Sequence, residues 1–116
     1  MRLFKPKYEY IWTVAIDELS VMPELEKDWN KIDALSDNKI TTQYRKLKKQ
    51  AQGSEQILDI LTERYNASPA GSEDSAEILC YMGQIIDVLK MQYFFIHALQ
   101  EIINIRKAIC CPKSVS

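Results

Sequence analysis

Hydrophobic residues in the last third of the chain recur at helical spacing. Ile78, Met82, Ile85, Leu89, Ile96, Leu99 and Ile103 stand three, four or seven apart, which lines them up along one side of an α-helix. Val88, Met91, Phe95, Ala98, Ile102, Ile105 and Ile109 keep the same rhythm, about 100° or more round the cylinder at 100° per residue. One helix over Ser75 to Ile109, about 74–110 with its ends, therefore carries two apolar faces. Beyond Val88 its polar residues Lys90, His97, Gln100, Glu101 and Asn104 share a single narrow wedge. A helix apolar over most of its circumference needs cover on both sides, from other helices of the chain or from a partner.

Upstream, Ile40, Tyr44, Leu47, Ala51, Ser54, Leu58, Leu61 and Tyr65 alternate steps of four and three without a fault. This predicts a middle helix from about Lys39 to Tyr65, started by Ser36-Asp37-Asn38, which supply cap and turn. Ala51, Gly53 and Ser54 make the centre of its seam thin, with room for a close neighbour or a bulky side chain. Gly53 costs about 1 kcal/mol relative to Ala and suggests a bend or local opening. Asn66 to Gly71 reads as a linker, and Ser72-Glu73-Asp74-Ser75 as the cap of the last helix, with Glu77 closing a capping box from Asp74. Pro112 ends that helix.

The first helix is expected from about Lys7, after a basic arm over residues 1–7, with Tyr8, Trp12, Ala15, Leu19 and Met22 as its stripe. Pro23 throws the stripe out of phase, so a break with a change of direction is expected there. Leu25, Trp29 and Ile32 continue an apolar line beyond it. The whole is an all-α antiparallel helical bundle of three to four helices in one domain over residues 1–116, with the first helix broken near Pro23 and a disordered tail over 112–116. The last helix, about 50 Å at 1.5 Å per residue, outreaches the middle one at about 40 Å. Its surplus length and surplus apolar face coincide around Phe95 to Ile109, which points to a coiled-coil-like homodimer.

Composition narrows the function classes. The chain has 116 residues, three glycines, four prolines and a net charge of -1, which suits a helical domain and gives no bulk attraction to nucleic acid or anionic lipid. Acidic residues stop the apolar run Tyr10 to Ile16 too early for a secretory leader, and no stretch reaches the roughly 18 apolar residues of a membrane span. Cys80, Cys110 and Cys111 make a poor disulfide framework because sequence neighbours rarely bridge. A cytoplasmic setting is expected.

Candidate chemistry is sparse. The cysteines and His97 lack zinc-ligand spacing, so no metal and no cofactor are expected. Cys80 has no activating neighbour, and glycine-rich phosphate loops are missing. Cys110-Cys111 before Pro112 is a candidate for S-acylation or a plain frayed terminus. Arg45, Lys46, Lys48 and Lys49 form a basic stripe, read either as nucleic-acid contact or as the complement of an acidic first region; with only Tyr44 as a stacking aromatic, nucleic acid is disfavoured as a partner. His97 on a bundle helix resembles the histidine phosphotransfer domains. These follow their phospho-accepting histidine with leucine, lysine and glycine at two, three and four residues on; here those positions are Leu99, Gln100 and Glu101. The resemblance would imply a phosphorelay through His97, and the last two positions depart from it.

The reading of the sequence is therefore a non-enzymatic protein–protein interaction module, such as an adaptor, a small chaperone or an inhibitor of immunity type. Its expected interface is the second face, Val88, Met91, Phe95, Ala98, Ile102, Ile105 and Ile109.

Overall fold

The computed structural model describes residues 4–19 and 30–110. Among them are three helices and no strand: α1, Glu9–Leu19; α2, Asp37–Ala67; and α3, Glu73–Cys110. A helical stretch at 30–33 leads into α2. The expected break at Pro23, the line through Leu25 and Trp29, and the tail after Cys110 lie outside the described residues.

The middle and last helices form where the spacing places them. Ser36 is the N-cap of α2, its hydroxyl accepting from the Lys39 N–H at 3.4 Å. α2 runs unbroken through Gly53, where an added Cβ would meet nothing within 4 Å, so this glycine does not interrupt the helix. Gly71, at φ 76°, makes the turn into α3 in the left-handed region that glycine enters at little cost. The cap of α3 differs from the expected box. Ser72 accepts from the Ser75 N–H at 3.1 Å and Ser75 donates back to the Ser72 carbonyl at 2.9 Å, a reciprocal pair that leaves Glu77 out because it sits two residues too late.

α2 and α3 form an antiparallel hairpin. Tyr44 meets Gln100 and Ser54 meets Gln92, while Arg106 near the end of α3 bridges back to Asp37 at the start of α2. Ile40, Tyr44, Ala51 and Leu58 bury against Leu89, Tyr93, Ile96 and Leu99, and Phe4, Ile11 and Ala15 close the same core from the arm and α1. Each large aliphatic buried here is worth about 1.5–3 kcal/mol.

Burial along α3 is lopsided. Between Leu89 and Ile102 it is buried on nearly every side, including Phe94, Ala98 and Ile102. From Glu73 to Val88 only Ser75 is buried. Among the described residues the bundle is thus a filled core at one end and a two-helix layer at the other, in a body of 62 × 29 × 22 Å.

One expectation changes. Ala98 and Ile102 are 0% and 2% exposed, so the middle of the second apolar face is core of the chain itself. Lys90, His97 and Gln100 of the polar wedge are also partly covered, by α1 and the arm, while Glu101 and Asn104 stay exposed. Glu18 pairs with Lys90 at 3.1 Å, Trp12 stands edge-on to His97 with centroids 5.9 Å apart, and Gln100 accepts from the Phe4 N–H at 2.8 Å. Polar side chains served this docking because an extended arm brings unpaired backbone donors that an apolar face would leave unsatisfied.

Candidate functional site

Among the described residues, a polar clasp that holds the arm and an apolar groove along the hairpin are each built from several elements at once.

The clasp centres on Glu55, a carboxylate only 7% exposed. It accepts from the fully buried Tyr93 hydroxyl and, at 2.9 Å, from the Lys7 backbone N–H. One turn along α2, Asp59 accepts from the Tyr8 hydroxyl and the Lys7 ammonium. Gln100 joins the arm to α2, its Oε1 accepting from the Phe4 N–H and from the Tyr44 hydroxyl at 2.9 Å. No buried side-chain nitrogen or oxygen among the described residues lacks a partner, as such a costly interior requires. Burial, reinforced by the carboxylates they face, pushes the Tyr8 and Tyr93 phenols well above the ordinary tyrosine value. The Lys7 ammonium, then the Tyr8 hydroxyl, holds Asp59 below the usual carboxylate range. These tyrosines therefore stay protonated as donors, and the arrangement fastens residues 4–8 across both long helices.

The groove lies between α2 and α3. Near the hairpin turn it is bounded by Leu61, Arg64, Asp74, Glu77, Ile78 and Tyr81; further along, a hollow of 330 Å³ is lined by Ile57, Leu61, Tyr81, Gln84, Ile85 and Val88. A third hollow of 660 Å³ opens between Lys31, Ile32 and Leu35, the α2 side chains Lys46, Leu47 and Gln50, and Phe95. The rims repeat every seven residues, through Gln50, Ile57 and Arg64 on α2 and Tyr81, Val88 and Phe95 on α3, so all three hollows share one side of the hairpin. Ile57, Tyr81 and Val88 are 49%, 50% and 46% exposed, far more than side chains of a closed core keep.

The structure divides the expected interface. Val88 and part-buried Phe95 line the groove, whereas Ala98 and Ile102 are internal. Met91, Ile105 and Ile109 are exposed outside the groove lining. Ile57, Leu61 and Tyr81 were not in the expected interface. The signal for Ile57 was a second heptad line, Gln50-Ile57-Arg64, immediately beside the seam through Leu47, Ser54 and Leu61; Tyr81, on α3, had no such line.

The other candidates are placed as follows. Arg45, Lys46 and Lys49 are exposed on α2, and Lys48 lies 5.5 Å over the Tyr44 ring. None of the four joins the ion pairs among the described residues, whose acidic partners are Asp59, Glu18 and Asp37. His97 is half-buried against Trp12, and Cys80 is exposed. No cluster of three or more metal-ligating side chains occurs among the described residues, and no helix there is long and apolar enough to cross a membrane. Comparison of the chain with protein-family models, curated proteins and solved structures finds no match.

Proposed function

We propose that the protein acts by binding protein, without catalysis, as an adaptor, small chaperone or inhibitor does, and that the groove between α2 and α3 is where it binds. One observation carries the reading: Ile57, Leu61, Tyr81, Ile85 and Val88 line an open channel of the hairpin to which no other described element contributes. A contiguous apolar channel rimmed by polar residues is unfavourable in water and typical of a surface meant for another helix. The clasp supports the same reading, because it fixes α2 to α3 and the arm through Glu55 and Asp59, at the level of Ile57, and so presents the groove preformed.

A photo-crosslinking side chain at Val88, compared with one at Gln52, which is exposed off the groove, tests this in extract of the native cell. Adducts to a protein chain at Val88 and not at Gln52 are expected. Equal, background-level yields at both sites contradict the reading.

A further inference from the structure

We infer that the occupant of the groove is a second copy of this chain, packed antiparallel across a two-fold axis near Val88 and Ile57 to make a four-helix layer from two hairpins. The inference rests on the binding reading above and names its partner.

Three observations carry it. The first is the symmetry of the lining. Moving seven residues either way from Val88 reaches Tyr81 and Phe95, and seven either way from Ile57 reaches Gln50 and Arg64. A two-fold at the centre therefore sets aromatic against aromatic and polar against polar, with aliphatic side chains on the axis. An interface of this kind must be self-complementary, since one patch meets itself.

The second is charge. The end of the groove at the hairpin turn carries Asp74 and Glu77 beside Arg64, a net negative end; the opposite end carries Lys31 and Lys46. None of these five enters the ion pairs found among the described residues. Antiparallel packing brings each negative end to a positive one, and parallel packing would set like against like. Complementary rims of this sort fix orientation.

The third is size. The hollows span α3 from Asp74 to Leu99, about 38 Å at 1.5 Å per residue, and two helices at about 10 Å spacing make the face about 20 Å wide. The product, about 760 Å², is what one partner of a stable interface commonly buries.

The purified full chain tests the inference by sedimentation equilibrium, with far-UV circular dichroism to confirm that each variant is folded. The expected results are a dimer for the natural chain and a monomer of unchanged helicity for Val88→Glu, whose side chain is already half in water. Reversing one end, with Asp74→Lys and Glu77→Lys or with Lys31→Glu and Lys46→Glu, is expected to weaken dimerisation about tenfold or more. Combining both reversals is expected to restore it. A monomeric natural chain overturns the inference, and so does a quadruple variant weaker than either double one. If the chain is monomeric yet crosslinks to a different protein through Val88, the binding reading stands and only the second copy is lost; with no adduct, both fall.

Discussion

At the scale of single residues, the most consequential pair is Glu55 and Tyr93. Glu55 is a charge inside a small bundle, affordable only because the Tyr93 hydroxyl and the Lys7 N–H both reach it. Tyr93→Phe keeps the ring and removes one donor, so it should cost about 1–3 kcal/mol in urea unfolding; an unchanged midpoint would show that Glu55 does not depend on Tyr93. The pH dependence has two limbs. Burial raises the folded-state values of Tyr8, Tyr44 and Tyr93, so their contribution is complete below the unfolded value of about 10 and drains away above it. In an alkaline titration followed by tyrosinate absorbance, these three should ionise late, with unfolding. Asp59 is shifted the other way, so its contribution is present above about pH 4 and is lost as the pH falls through its lowered value. Asp59→Asn should flatten the acid limb and, because Asp59 also helps to raise Tyr8, shrink the Tyr8 part of the alkaline limb while leaving the Tyr44 and Tyr93 parts in place.

At the scale of elements, the long helices were legible because each carries an uninterrupted three-four seam, and the seam residues Ile40, Tyr44, Ala51, Leu58, Leu89, Ile96 and Leu99 are indeed buried. Tyr93 sits four after Leu89 and three before Ile96, in line with the first stripe though not named in it, and in the fold its hydroxyl has the Glu55 carboxylate. The arm over residues 1–7 was legible as an arm and not as a structural strap, because its hydrogen bonds go to Glu55, Gln100 and Tyr93, far away in sequence. No local pattern encodes such pairings. Of the groove, Val88 and Phe95 could be read from the second apolar line, but Ile57 and Tyr81 belong to it only once the hairpin is closed. If the strap matters as the packing indicates, Phe4→Ala should cost about 3–5 kcal/mol, since Phe4 is 6% exposed against Trp12 and Tyr93. Hydrogen exchange should then speed up in α1 before it does in the hairpin. A loss under 1 kcal/mol would mean that the arm is ornamental to stability.

At the scale of the whole molecule, the two ends of the hairpin have different jobs. Around Leu89 to Ile102 most of the circumference of α3 is taken up by the chain's own packing, with Met91 and Glu101 left exposed, so this end supplies stability. Toward the turn, among the described residues, α2 and α3 form a layer one helix thick with aliphatic and aromatic rims facing water, so this end has surface to give to something else. Two helices side by side bury too little to justify such rims, and a second layer completes them. The chain mass of 13.5 kDa makes the most direct measurement simple: the sedimentation-equilibrium mass of the natural chain beside that of Val88→Glu. Twice 13.5 kDa for the first and 13.5 kDa for the second, at equal helicity, is the expected result. A natural chain that stays at 13.5 kDa to about 100 µM, well above the dissociation constant of an interface this size, would contradict it.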